Sequence, residues 1–566
     1  MVDKLDVARA LREIGALLRC KEESSFKVQA YENGASAVEA LSEDLGRLVA
    51  EERLTQVPGI GASLASIITE IVRTGQSELL TKLRASLPPG VLELCEIPGL
   101  SPKKIQVLHD ALGITSVEEL RQACAAGRVR SVKGFGPKTQ QSLLEAIAQR
   151  ESREARVLLV DALGVAEPLL DHLRAFPAVK QADLAGEVRR FCETVSEVNV
   201  VVSSDEALAV LDHAERFPRV TRVRSRDAQQ VDLFLAGDVR ASVHVSPPDR
   251  YAAALLTHTG SPAHLAELGR AAAERGLDLD GMRALVSIES ETQVYRALGL
   301  HPVPPELREG DGEVLAARRD DFADLVTQSD ILGMVHCHTV FSDGNDTIED
   351  MARAAEAMGM KYLTITDHSP TAHYARGVEL DRLKSQWDEI ARVQERVKIK
   401  LLRGTESDIL ATGALDYPDT ILEQLDVVIA SVHSRMKMDE AAMTQRLVDA
   451  MRQPIFKIWG HPLGRLLLRR EPFACRVEEV LDVIASSRAA IEVNGDPYRL
   501  DMEPRWLKEA RKRGIRFVIS TDAHSTKGLS SLRFGVGVAR RGGLRRGEVL
   551  NTLGPEGFAA AVRPIH

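Results

Sequence analysis

The chain has 566 residues, 44% of them hydrophobic and 27% charged, with a formal net charge of −9. That length exceeds what one hydrophobic core organises, so several domains are expected. The net acidity, taken alone, argues against nucleic acid and for a small-molecule substrate. The opening segment MVDKLDVARALREIGALL reads as an amphipathic helix and offers neither a signal peptide nor a membrane span. Cys20, Cys95, Cys124, Cys192, Cys337 and Cys475 are scattered without paired spacing, which reads as reduced thiols in a cytoplasm, not as a disulfide frame.

Three segments in the first third share a turn between two helices: Val57-Pro58-Gly59-Ile60-Gly61, Ile97-Pro98-Gly99-Leu100-Ser101 and Val132-Lys133-Gly134-Phe135-Gly136. Each precedes a helical stretch, ASLASIITEIV, PKKIQVLHDAL or PKTQQSLLEAI. Gly59, Gly61, Gly99, Gly134 and Gly136 let a backbone approach closely, and the free amides opening the second helix, with Lys138 beside the third copy, can hold a phosphate oxygen. Such a grip needs little net positive charge, so the local pattern overrides the composition. One copy reads equally as a helix connector; three favour DNA binding, and their irregular spacing excludes a solenoid. Further along, PELREGDGEVLAARRDDFADLVTQSD is charged and marked by Pro and Gly, and reads as a boundary linker.

From Gly333 to His524 one device repeats, an apolar strand-like run that stops at a metal-binding side chain. The runs LGMVHCH, KYLTITDH, KIKLLRGTE, VVIASVH, FKIWGH and RFVISTDAH end at His336/His338, His368, Glu406, His433, His461 and Asp522/His524. Amphipathic segments such as TIEDMARAAEAMGM lie between them, so the alternation predicts a parallel α/β barrel with its reactive groups at the C-terminal strand ends. His336 and His338, like Asp522 and His524, stand at i and i+2, which on a strand face the same way. Imidazole and carboxylate donors suit zinc, manganese or iron, so the pattern predicts a multinuclear metal site for hydrolysis.

His336-Cys-His338-Thr-Val-Phe-Ser-Asp343-Gly, Thr-Asp-His368-Ser, Gly-Thr-Glu406, Ala-Ser-Val-His433, Gly460-His461-Pro462 and Ser-Thr-Asp522-Ala-His524 together resemble the polymerase and histidinol phosphatase (PHP) domain. The resemblance implies three divalent ions, manganese or zinc with iron as a third option. By motif order His336, His338, Glu406 and Asp522 would hold the first, Glu406 would bridge to a second held by His433 and His461, and Asp343, His368 and His524 would hold the third. It implies hydrolysis by a hydroxide bridging the ions, with no protein nucleophile. Arg403, Arg435 and His373 are candidates for substrate contact, each with an ordinary solvated reading beside it.

The glycine turns resemble helix-hairpin-helix motifs, which hold the DNA backbone without reading sequence. SSFKVQAYENGASAVEAL resembles the opening helices of family X DNA polymerases. Residues from Val157 to about Arg318 resemble that family's palm and thumb, through Ala185-Gly186-Glu187-Val188-Arg189-Arg190, Glu193-Thr194-Val195, Gln230-Val231-Asp232-Leu233 and Thr259-Gly260-Ser261. The whole chain is similar to bacterial family X polymerases with a C-terminal PHP domain. That implies a multidomain protein. An all-α helix-hairpin-helix region would occupy 1–85 and 86–152, an α+β palm 153–250, a thumb 251–318, a linker 319–330, and a distorted TIM-like α/β barrel 331–566.

Departures from that family matter for function. Its Asp-x-Asp pair falls on Glu197 and Asn199, leaving only Asp232 intact, so a pair of Mg²⁺ ions is not expected in the palm. Its triphosphate-cradling Gly-Ser reads Gly186-Glu187, which puts an anion where phosphate should sit, and its aromatic pair reads Thr257-His258. Arg189 and Arg190 are left as DNA contacts or as structural ion pairs. The lysine that forms a Schiff base in members with lyase activity falls on Ile67. The expected protein is a cytoplasmic bacterial monomer acting on gapped, nicked or 3′-ended DNA. It is read as a 3′→5′ exonuclease with 3′-phosphatase or abasic-site endonuclease action in base-excision repair. A gap-filling polymerase with a proofreading barrel is the alternative, and a small-molecule phosphatase a weaker third.

Overall fold

In the three glycine turns, the carbonyl oxygens of Val57, Ile97 and Val132 accept from the amides of Ile60, Leu100 and Phe135 at 3.1, 3.1 and 3.0 Å. The residue before each closing amide is Gly59, Gly99 or Gly134, with φ of 89°, 89° and 93°. A side chain is strained in that left-handed region, so glycine is required for the turn. Ile60, Leu100 and Phe135 are buried and pin each turn to the helical core. The helices that follow are Ala62–Thr74, Pro102–Leu112 and Pro137–Glu154.

The structure is a computed structural model and describes residues 4–564, apart from residues 22, 40–44, 52, 58, 88–89, 96, 155 and 278–289. Pro58 of the first turn therefore lies outside the described residues. The chain forms two compact units, 1–155 and 156–566. The first is all helical, and the two helix-hairpin-helix parts expected within it share one apolar core built on Leu11, Ile14, Ile68, Leu94, Ile105 and Leu120. No helix among the described residues is long and apolar enough to cross a membrane.

The second unit begins with β1 (Val157–Leu158), β2 (Gln181–Ala185), β3 (Thr194–Val195), β4 (Val198–Ser203), β5 (Val220–Arg226), β6 (Gln230–Leu235) and β7 (Arg240–Ser246). Five of these form the palm sheet in the order β2-β4-β7-β6-β5, with β4 and β7 parallel and the other pairs antiparallel. Alternate residues Val198, Val200 and Val202 of β4 pack with Val243, Leu169, Leu173 and Leu211, the strand period of two meeting two amphipathic helices. Helices Tyr251–Thr259, Pro262–Ala273 and Glu291–Ala297 follow as the thumb, where buried His264 sits between Glu313 (2.6 Å) and the Tyr295 hydroxyl (2.9 Å).

The barrel contributes β8 (Gly333–Met334), β9 (Tyr362–Ile365), β10 (Lys400–Asp408), β11 (Val427–Ser431), β12 (Lys457–Trp459), β13 (Ala489–Asn494) and β14 (Phe517–Ser520). All neighbours pair in parallel in the order β14-β13-β12-β11-β10-β9-β8. Their runs are buried on both faces, as parallel strands under helices must be. The seam between β8 and β14 is closed without a full ladder. A parallel bridge joins Cys337 to Ala523, and the buried Asn551 amide donates to Gly333 O (3.1 Å) and Ile519 O (2.7 Å) while accepting from Ile519 N (3.0 Å).

Palm and barrel are not free-standing bodies, because one apolar cluster runs through both. The Phe191 ring lies over Gly537 so closely that a Cβ there would stand 2.0 Å from it, and Glu193 pairs with Arg465 at 3.2 Å. Nor is 319–330 a free linker. Val326 N donates to Leu544 O at 3.0 Å, and Asp320 and Asp324 both pair with Arg545. Asp330 at its end lies 3.4 Å from Arg546, so three of its four acidic residues face arginines.

Candidate metal centre

The eight residues predicted from the strand ends converge on one pit, together with Asp343, which the family resemblance supplied. Glu406, near the end of β10, is its hub: its carboxylate lies 2.8 Å from His461 Nε2, 2.9 Å from His368 Nδ1, and 3.3 Å from both His336 Nε2 and His433 Nε2. Asp522 Oδ1 lies 3.4 Å from His336 Nε2 and 3.3 Å from His338 Nε2. Asp343 faces His524 Nε2 (3.5 Å), His368 Nε2 (3.6 Å) and His338 Nδ1 (3.8 Å).

Donor atoms within 4.8 Å of one another fall into four overlapping groups: His338, Asp343, His368 and His524; His336, His338 and Asp522; His336, Glu406 and His461; His368, Glu406 and His433. The grouping differs in detail from the expected one. His368 serves the Glu406 side as well as the Asp343 side, and His336 stands with His461 as well as with Asp522.

The route to convergence also differs. β8 ends at Met334, so His336 and His338 do not ride on a strand. His336 turns with φ of 64°, Asp522 with 51° and His461 with 24°, a left-handed backbone that non-glycine residues adopt at some cost and keep at functional sites.

The donor set fits metal ions. His336 Nε2, both ring nitrogens of His338, His368 Nδ1, His461 Nδ1 and Glu406 Oε2 are buried without a hydrogen-bond partner. Buried polar atoms are seldom left so, and six in one pit mark a place for cations. The electrostatics agree. Burial opposes charge on Glu406, yet His433, His368 and His336 hold its carboxyl well below the usual range. Burial likewise opposes charge on His433, but Glu406 and Asp408 outweigh it and push the imidazole up to about 10. His338 goes the other way, down to about 3, through burial and the neighbouring His524 and His368.

Sequence reasoning missed the groups that orient these donors. Glu492 of β13 faces His336 Nδ1 at 2.5 Å, accepts from Ser520 Oγ at 2.6 Å and takes the His461 amide. Asp408 faces His433 Nδ1 at 2.5 Å. With Nδ1 engaged by a carboxylate, Nε2 of both rings is aimed into the pit. Asp367 accepts from Thr339 N and Oγ1 at 2.7 Å each and so fixes the loop carrying Asp343. Asp408 was detectable two residues after Glu406, on the same strand face; Glu492 lay hidden inside the apolar run AAIEVN.

Arg499, also missed, lies 3.5 Å from Asp522 Oδ2 and has a buried, unpartnered Nη1. Of the candidates for substrate contact, Arg403 is out of place. Its guanidinium lies 5.3 Å from the Trp387 ring, in a cavity with Lys400, Gly554 and Pro555, away from the donors. Arg435 and His373 are exposed.

In the palm, Asn199, Ser242 and Asp232 stand in one row across β4, β7 and β6. Asp232 accepts from Ser242 Oγ (2.7 Å), Gln230 Nε2 (2.7 Å) and Ser225 Oγ (2.5 Å), and Asn199 Oδ1 faces His244 Nε2 at 3.1 Å. His244 stacks on His258 with centroids 3.9 Å apart. Glu187 is not a free anion as expected, since it pairs with Arg156 at 2.7 Å and accepts from Ser196 N and Oγ at 2.6 and 2.7 Å. Arg189 binds Glu291 (2.7 Å) and Arg190 binds Glu309 (3.0 Å), the structural alternative for both. Glu197 shares no donor group with Asp232 among the described residues. In the helical unit Gly59, Gly61, Gly99, Gly134, Gly136 and Lys138 lie near the surface at the turns, and Ile67 lies on helix Ala62–Thr74.

Comparison with known families agrees with this layout. Residues 3–77 match a helix-hairpin-helix domain, 91–149 a SAM-like helix-hairpin-helix tandem, 254–309 the DNA polymerase beta thumb and 335–496 the PHP domain. The "DNA polymerase/3'-5' exonuclease PolX" of Bacillus subtilis (strain 168) is 32% identical over 558 residues, 97% of each chain. A protein named "Probable phosphatase" from Thermoanaerobacter sp. (strain X514) is 27% identical over 229 residues, 38% of this chain and 89% of its own. Another so named, from Vibrio parahaemolyticus, is 28% identical over 240 residues, 39% of this chain and 90% of its own. With helical DNA-binding turns, a polymerase thumb and a donor-lined barrel in one chain, and a relative matched end to end, the protein belongs to the bacterial family X DNA polymerases that carry a PHP domain.

Proposed function

We propose that this chain is a DNA-processing phosphoesterase, a metal-dependent 3′→5′ exonuclease with 3′-phosphatase or abasic-site endonuclease action in DNA repair, and that it no longer polymerises. The observation that carries the reading is the contrast between its two sites. The barrel gathers nine donors with six buried unpaired atoms, whereas the palm row offers one carboxylate, Asp232, already taken by three internal donors. The relative's name joins both activities, and the palm departures separate them here.

His336, His338, Asp343, His368, Glu406, His433, His461, Asp522 and His524 would hold the ions. Clustered divalent cations supply Lewis acidity, drawing charge from a phosphoester and acidifying water. The chain's own groups do the rest. Glu492 and Asp408 fix His336 and His433 with Nε2 facing inward. Arg499, beside Asp522 with Nη1 free, is placed to meet a phosphate oxygen. No serine or cysteine nucleophile is required, and Cys337 is buried with its thiol pushed up to about 12, chiefly by burial.

Replacing His336 and His338 together by Ala tests the reading. Metal content and 3′-end shortening should both fall, the latter by at least about 100-fold, while DNA affinity persists. Unchanged shortening would place the nuclease elsewhere.

A further inference from the structure

The surface above the donors is unusual for its aromatic content. Tyr374 (67% exposed) and Tyr498 (49% exposed) are the two exposed Tyr, Phe or Trp side chains among those whose burial is described, whereas Tyr31, Tyr251, Tyr295, Tyr362 and Tyr417 are all buried. Both stand in segments that follow barrel strands, Tyr374 after β9 and Tyr498 after β13, on the side of the barrel where the donors gather. The Tyr374 ring meets His368 and His433 edge-on, with centroids 5.8 and 6.0 Å away. Tyr498 precedes Arg499, whose guanidinium stands against Asp522, and its carbonyl accepts from Leu467 N at 2.8 Å. That bond ties it to a third rim segment, which carries Arg469, 5.8 Å over the Tyr498 ring, and the exposed Leu468.

An exposed ring in water gains little, and two beside a phosphoester site call for a flat apolar partner. Phosphate monoesters of small alcohols offer none. An unstacked nucleobase does, because every base has a face that stacks on an aromatic ring whatever its identity. The arginines on the same rim suit the adjoining phosphodiester.

We propose that Tyr374 and Tyr498 form a stacking clamp for the bases of a single-stranded DNA end, which presents its terminal phosphodiester to the pit below. This names residues that would position the substrate of the proposed exonuclease and rests on that reading. The duplex would have to be frayed or gapped at its 3′ end, since a paired base has no free face to offer.

The test uses the full chain with Mn²⁺ and two single-stranded oligonucleotides that differ only in whether the 3′-terminal residue carries a base or a tetrahydrofuran ring in its place. The parent should favour the base-bearing end by about tenfold in kcat/KM, through KM. Tyr374→Ala and Tyr498→Ala should each shrink that preference and the double variant should abolish it, whereas Tyr374→Phe, which keeps the ring, should retain it. A second readout needs neither metal nor turnover. In EDTA, a 3′-terminal 2-aminopurine should be quenched by the parent and not by the double Ala variant. An undiminished preference or quenching in the double variant would overturn the clamp. If the parent shortens neither oligonucleotide, the exonuclease reading fails, and quenching in EDTA decides the clamp by itself.

Discussion

Glu492 is a single carboxylate on which two metal-site histidines depend, since it faces the His336 ring and takes the amide of His461. Glu492→Gln keeps the shape and removes the charge, so metal affinity should fall about 10- to 100-fold, read as metal content after dialysis. Unchanged content would show that His336 is oriented by other means. Asp501 makes a separate, titratable prediction. It is buried, accepts from Leu463 N at 2.9 Å, and has its carboxyl pushed up to about 6, by burial above all and against the pull of Arg465. A folded-state value above the unfolded one means that the folded chain holds the proton better, so stability is lost as pH rises from about 4 through about 6. Asp501→Asn should therefore be more stable than the parent near pH 7.5, by on the order of 2 kcal/mol, with the advantage shrinking toward pH 4.5. A difference in Tm that is flat with pH would contradict this.

Among the elements, the glycine turns repeat one backbone geometry. Gly99→Val must force a β-branched residue to φ of 89°, which costs about 1–3 kcal/mol, and it crowds the surface where a phosphate would approach. DNA affinity should drop measurably by anisotropy, and salt dependence in the parent should be shallow because backbone amides release few counterions. Full affinity in the variant would remove the turn from the interface. These turns were legible in the sequence because the glycine requirement is local. The barrel was legible too, because six of its seven parallel strands are apolar runs that lead to a donor, β13 being the exception. Its seam was not, since Asn551 lies far along the chain from the Gly333 carbonyl that it binds. The strand-face argument for His336 and His338 failed for a related reason: β8 is two residues long, and a left-handed turn, invisible in composition, does the aiming. Arg499 escaped notice because it lies in a turn after β13, with no apolar run ending at it to mark it.

For the molecule as a whole, two facts bear on the proposed loss of polymerisation. The palm is welded to the barrel through Phe191 and Glu193, which gives its sheet a structural use that survives without catalysis. The polar groups of its sheet are also internally satisfied, with Glu187 paired to Arg156 and Asp232 held by hydroxyls. Asn199 and the His244–His258 stack complete that closure more directly than the repulsion once expected of Glu187. The chain's net charge of −9 did not exclude DNA, because the helical turns offer backbone amides, with Lys103, Lys104, Lys133 and Lys138 beside two of them. Whether the division of labour is real can be read in one experiment, with the full chain, Mn²⁺ and a gapped duplex labelled on the strand whose 3′ end borders the gap, with and without dNTPs. The account predicts shortening of the labelled strand under both conditions and no product longer than the input. Template-directed extension when dNTPs are present would contradict it and restore the palm as a working polymerase.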